Sequence, residues 1–93
     1  MIKSFKDKET ERVFTREGSR WLPIDVQQTA LRKLLMIHSA QNLQDLRIPP
    51  ANRLEALKGN RIGQYSVRIN DQWRITFIWL ENNAEEVQIV DYH

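Results

Sequence analysis

The sequence predicts an α+β fold, with a short N-terminal strand and two helices packed on one face of an antiparallel sheet. Three observations predict it. Val26, Ala30, Leu34 and Ile37 recur at steps of four, four and three, which is the buried stripe of a helix. Beyond Ile48-Pro49-Pro50 the period changes to two: Tyr65, Val67 and Ile69 alternate with polar residues, as do Trp73, Ile75, Phe77 and Trp79. Turn-forming residues, Asn70-Asp71-Gln72 and Asn82-Asn83, separate these runs.

The elements follow in order. Residues 1–5 alternate as a short first strand. Asp7 suits the cap of a short helix through about Arg16, with Glu9 and Glu11 near its positive end. Gly18-Ser19 breaks that pattern, and Pro23 suits the first turn of a second helix. Leu31 and Leu35 lie beside its stripe. The helix fades near Ala40, and the two prolines forbid a continuation. Leu54 to Leu57 reads as a short strand and Lys58 to Gly63 as a basic loop. Three or four strands then form a meander, the last from about Glu86 onward.

Ninety-three residues, 41% hydrophobic and 28% charged, fit one soluble domain over 1–93 and exclude disordered, collagenous and coiled-coil classes. The longest apolar runs are four residues, Leu34 to Ile37 and Phe77 to Leu80, whereas a membrane span needs about 20. The first residues are charged too early for a secretory signal. There is no cysteine, which excludes disulfide scaffolds, thiolate metal sites and cysteine nucleophiles and fits a reducing cytoplasm.

Net charge is only +2, but it is unevenly spread. From Arg47 to Arg74 six basic residues meet two acidic ones; from Ile75 onward there are four acidic residues and no lysine or arginine. Strand parity focuses this excess. The simplest pairing across Asn70-Asp71-Gln72 sets Val67 against Ile75 and Arg68 against Arg74. Like charges directly opposed destabilise a sheet, so an anion between the two guanidiniums is expected. Pairing Trp79 with Val87 and Phe77 with Ile89 would set Arg74 across from Tyr92. Lys58 and Arg61 lie in the loop entering that sheet. Asp91 and His93 flank Tyr92 on the opposite pleat.

Asp91-Tyr92-His93 concentrates acid–base side chains. Cleavage of RNA by its own 2′-hydroxyl needs a base for that hydroxyl, an acid for the departing 5′-oxygen, and positive charge for the transition state. Histidine, tyrosine and arginine suit these tasks.

The run Asn52-Arg53-Leu54-Glu55-Ala56-Leu57-Lys58-Gly59-Asn60-Arg61, continuing through Ser66, Arg68, Asn70, Trp73 and Arg74, resembles the HigB toxins of the RelE/ParE superfamily. So do the opening MIKSF and the closing Asp91-Tyr92-His93. The resemblance implies a RelE-like, microbial-ribonuclease-type fold. It implies the toxin of a type II toxin–antitoxin system, an mRNA interferase that cuts mRNA in the ribosomal A site. No metal or cofactor is expected. Arg68 and Arg74 fall on the family's strand arginines, Lys58 on its loop lysine, and Asp91, Tyr92 and His93 on its acid–base group. Where some relatives have a catalytic histidine this sequence has Glu55, which can act as a base or orient the 2′-hydroxyl but cannot be a cation. The implied partner is a HigA-type helix-turn-helix antitoxin, which would supply all contacts to operator DNA.

Other conspicuous residues have plainer readings. His38 suits the C-terminal end of its helix. Trp73, Trp79 and Tyr65 fall on the core parity. Trp21 fits either the core or the antitoxin surface. Arg47 and Arg53 flank the prolines and are candidates for ribosomal RNA contacts. The rival functions are a non-catalytic gyrase poison of the ParE type and an RNA- or DNA-binding module.

Overall fold

Helix formation begins where a side chain caps it. In the computed structural model, which describes residues 1–61 and 63–91, the Asp7 carboxylate accepts the Thr10 N–H at 2.7 Å and starts α1, Lys8–Phe14. The helix closes earlier than predicted. Arg16 turns left-handed (φ 66°), and the N–H groups of Glu17 and Gly18 both return to the Arg12 carbonyl at 2.9 and 3.2 Å. Helix α2, Ile24–Ser39, follows Pro23 and ends at Ala40 as expected. Its stripe is buried: Val26, Ala30, Leu34 and Ile37 pack with Val67, Ile75, Phe77, Val87 and Ile89 of the sheet. Leu31 is half-buried, while Leu35 lies in solvent.

Two single-turn 3-10 helices, Leu43–Arg47 and Pro50–Asn52, carry the chain from α2 to the sheet. The strands are β1 (Glu55–Ala56), β2 (Gln64–Arg68), β3 (Trp73–Leu80) and β4 (Asn83–Asp91), antiparallel and in sequential order. The first full hairpin has the predicted register, with Val67 opposite Ile75 and Arg68 opposite Arg74. Asn70 fixes it, its Oδ1 accepting the N–H groups of Gln72 and Trp73 at 2.8 Å each.

The second hairpin departs from expectation. Its turn is Glu81-Asn82, both at positive φ (52° and 63°), and β4 begins at Asn83. Such a two-residue turn matches strand twist and fixes the pairing at Leu80 with Asn83 and Trp79 with Ala84, not Val87. A bulge then shifts the register between Thr76 and Ile78, where Glu86 takes φ 53°. Beyond it Ile89 lies opposite Ile75, not Phe77, and Val90 lies opposite Arg74, so the predicted pairing of Arg74 with Tyr92 is not formed. The bulge also lets Ala84, Val87 and Ile89 all reach the core despite their mixed parity.

The predicted first strand is instead a pair of isolated parallel bridges, Ile2 to Ala84 and Phe5 to Val87. The bulged edge of β4 interrupts continuous pairing: the Glu86 N–H donates to the Ser4 hydroxyl at 2.9 Å. His38 ties this segment down, its Nδ1 accepting the Ile2 N–H at 3.2 Å beside the Phe14 ring. His38 sits in the last turn of α2, as expected, and there anchors the N-terminal segment. Thr10 locks α1 to the sheet through the buried Ile89 N–H, 2.9 Å from its hydroxyl. Trp73, Trp79 and Tyr65 pack against the core as predicted. Among the described residues no helix is long and apolar enough to cross a membrane.

Candidate active site

The face of the sheet turned away from the helices collects the basic residues. Cross-strand pairing puts Glu55 beside Ser66, and Arg68 beside Arg74, on that one face. Arg74 is 8% exposed, and a guanidinium so buried needs partners for its donors. Its Nε donates to the Ser66 hydroxyl at 2.9 Å, and its Nη2 donates to the Arg53 carbonyl at 2.6 Å. Glu55 Oε1 lies 3.9 Å away. The Arg53 carbonyl is available because Arg53 closes the second 3-10 turn in the left-handed conformation, φ 44°. The positive charge of Arg74 is therefore held at a fixed point.

Arg68 is held more loosely. Its Nη2 pairs with the carboxylate of Asp71, whose side chain is fully exposed. An ion pair open to water contributes little, so a phosphate can compete for this guanidinium. Each of the two opposed arginines also has its own protein partners, Ser66 and the Arg53 carbonyl for Arg74 and Asp71 for Arg68.

The two arginines line a polar cleft of about 440 Å³ with Arg53, Glu55, Asn70 and Asp71. Four predicted site residues are therefore brought together: Arg53, Glu55, Arg68 and Arg74. Lys58 and Arg61 are exposed in the preceding loop and do not line the cleft. Asp91 lies on the opposite pleat, as predicted, across from Trp73, and its Oδ2 accepts from the Gln72 amide at 3.2 Å. Tyr92 and His93 fall outside the described residues.

Sequence reasoning missed four contributors. Asn70 and Asp71 were read as a turn only, yet both line the cleft. Ser66 shares a face with Arg74, a signal already present in the strand parity. Lys33 lies between Ala30 and Ile37 at helical spacing, so a lysine occupies a core position. It donates to the Asn52 side chain, and the Asn52 amide donates to the Leu46 carbonyl at 3.2 Å. This buried link ties α2 to the turn that presents Arg53. Burial, followed by the positive charges of Arg32 and Arg68, holds the Lys33 ammonium below its ordinary 10.5.

Clustered guanidiniums beside a carboxylate, on an antiparallel sheet backed by two helices, make an α+β domain whose cleft has the chemistry to hold an anion. A family model described as the RelE-like toxin of type II toxin-antitoxin system HigB matches residues 3–93, and the chain belongs to this HigB-like toxin family. It is 40% identical over 85 residues to Toxin HigB-1 of Vibrio cholerae, covering 90% of each chain. It is 31% identical to Endoribonuclease HigB of Proteus vulgaris over the whole of both chains. The fold is shared with a chain of the YoeB-YefM complex from Staphylococcus aureus, at TM-score 0.63 and 17% identity, covering 100% of this chain and 98% of that one.

Proposed function

We propose that this chain, as one toxin domain over 1–93, is a metal-independent endoribonuclease that cuts mRNA in the ribosomal A site and so arrests translation. The observation that carries the proposal is the pair of guanidiniums in one cleft, with Arg74 fixed by Ser66 and the Arg53 carbonyl and Arg68 paired, among the described residues, to an exposed acid. The first suits a developing charge at a set position, and the second suits capture of the incoming phosphate.

In this reading the 2′-oxygen attacks phosphorus and the bond to the 5′-oxygen breaks. One group removes the 2′-hydroxyl proton and another protonates the departing 5′-oxygen. His93 is the principal proton-transfer group, with Tyr92 and Asp91 beside it in sequence. Glu55, on the cleft wall, acts as the base or orients the 2′-hydroxyl. Lys58, Arg61 and Arg53 contact RNA backbone or ribosomal RNA. The partners are a HigA-type helix-turn-helix antitoxin, which makes the contacts to operator DNA, and the translating ribosome with its mRNA in the cytoplasm. The endoribonuclease name of the Proteus vulgaris relative supports the activity.

Primer extension on a reporter mRNA in a reconstituted translation reaction tests this. New 5′ ends at A-site codons are expected with ribosomes and none without. His93→Ala should slow single-turnover cleavage at least about tenfold, within the range of one proton-transfer group. Intact mRNA in the presence of ribosomes would refute the activity and turn attention to a gyrase-poisoning or purely RNA-binding role.

A further inference from the structure

A second surface lies on the helical side of the molecule, where none of the cleft residues reach. Val13 and Arg16, at the end of α1, face Ile24, Gln27, Gln28 and Leu31 of α2 across a groove of about 220 Å³, mostly apolar. Beside it Trp21 is 80% exposed and Ile24 is 74% exposed. An indole that neither packs nor is buried is an unusual residue for a free surface.

The loop bearing Trp21 is nevertheless rigidly built. The Gln27 side chain accepts the Ser19 N–H at 2.9 Å and donates to the carbonyls of Ser19 and Leu22 at 2.9 and 2.6 Å. The Ser19 hydroxyl donates to Glu9 and accepts the Trp21 N–H at 3.0 Å. Five hydrogen bonds thus fix the loop that carries Trp21, while its indole stays in water. An aromatic presented from an ordered loop beside an apolar pocket has the form of a binding anchor, because the loop's conformational freedom need not be lost on docking.

The charges around it choose the partner. Arg16 lines the groove, Arg12 precedes it by one turn of α1 and Arg20 adjoins Trp21 in the chain; all three are exposed, and none forms an ion pair with a described residue. Of the acids on these elements, Glu9 accepts from Ser19 and Glu17 from Thr15, and the exposed Glu11 and Asp25 form no ion pair with these arginines among the described residues. Unlike Arg68 in the cleft, these arginines have no carboxylate of their own. The aliphatic floor of Val13, Ile24 and Leu31 suits an apolar side chain and offers nothing to a phosphate backbone.

We propose that this groove is where the antitoxin docks. A segment of the antitoxin inserts one aliphatic or aromatic side chain between α1 and α2, covers Trp21, and sets carboxylates against Arg12, Arg16 and Arg20. This rests on the toxin–antitoxin reading, and it names the surface that reading leaves open.

The probe is the separately purified antitoxin from the toxin's own operon, titrated calorimetrically into the full chain. Trp21→Ser should weaken binding at least about 30-fold, the scale of an interface hot spot. The double charge reversal Arg16→Glu with Arg20→Glu should weaken it as well and flatten its salt dependence. Both variants should melt as the wild type does, since the altered side chains are exposed, and both should still cleave mRNA on ribosomes. Arg68→Ala, in the cleft, should bind antitoxin as the wild type does. Wild-type affinity in Trp21→Ser, or no binding by the wild type itself, overturns the docking site. Loss of ribosome binding in Trp21→Ser with antitoxin affinity intact also overturns it and makes the groove an RNA surface. Failure of the wild type to cleave mRNA while Trp21 still governs antitoxin binding would instead overturn the nuclease reading and leave the docking site standing.

Discussion

The cleft on the sheet and the groove on the helices both combine arginines with a shaped surface, but they treat the charge differently. In the cleft Arg74 is buried and tied to Ser66 and to the Arg53 carbonyl, and Arg68 has Asp71. Around the groove Arg12, Arg16 and Arg20 stand in water without ion pairs among the described residues. Fixed, compensated charge suits a site that must stabilise a transition state at one point, because no reorganisation is needed as charge develops. Uncompensated surface charge suits steering and recognition of an oppositely charged protein, where it acts at longer range and is screened by salt. Two basic surfaces on one small chain can thus be assigned to different partners by the company their arginines keep.

The sharpest way to break this comparison is to remove the anchor of the groove. Trp21→Ser is expected to separate antitoxin binding from cleavage; a variant that lost both together would merge the two surfaces into one. A smaller effect is expected at the cleft rim. Asp71→Asn removes the acid that competes for Arg68, so the apparent affinity of the toxin for ribosome-bound mRNA should rise a few-fold, about the worth of an exposed ion pair. Titration of cleavage against ribosome concentration checks it, and a large loss of activity would mean that Asp71 itself does chemistry.

The smallest effect is read as a slope. In the folded chain the charged form of Lys33 is disfavoured, so the folded state holds the Lys33 proton less tightly than the unfolded state does. That penalty is present at low pH, where both states are protonated. It is relieved as pH rises from the lowered folded value toward 10.5. Denaturant unfolding should therefore show the wild type gaining stability relative to Lys33→Met across that interval. Parallel pH profiles would contradict the buried placement of this charge.

How much of this was readable in the sequence varied by element. The α2 stripe and the first hairpin were readable because each rests on one period and one turn: Asn70 both ends β2 and holds the N–H groups that start β3. The register there follows, and with it the facing of Arg68 and Arg74. The second hairpin was not readable by parity, because Glu81 and Glu86 adopt positive φ, which composition does not announce for glutamate. One tight turn and one bulge each moved the pairing, and Arg74 came to lie opposite Val90. The cleft was half readable. Arg53 was a candidate for its charge, whereas the structure also uses its backbone carbonyl, a role that depends on a left-handed residue after the prolines. The choice for Trp21 between core and surface depended on the Gln27 and Ser19 network, which joins residues that no periodic pattern links.

The most direct test of the central claim is single-turnover cleavage of ribosome-bound mRNA by Arg74→Ala and Arg74→Lys, with thermal melts to confirm folding. Arg74 makes the fixed positive point of the cleft, so the account predicts a loss of about 10²–10³-fold for Arg74→Ala, the scale of one transition-state donor. Arg74→Lys should recover only part of it, because an ammonium cannot satisfy Ser66 and the Arg53 carbonyl in the same plane. Near-native cleavage by a folded Arg74→Ala protein would contradict the account and move the chemistry out of this cleft.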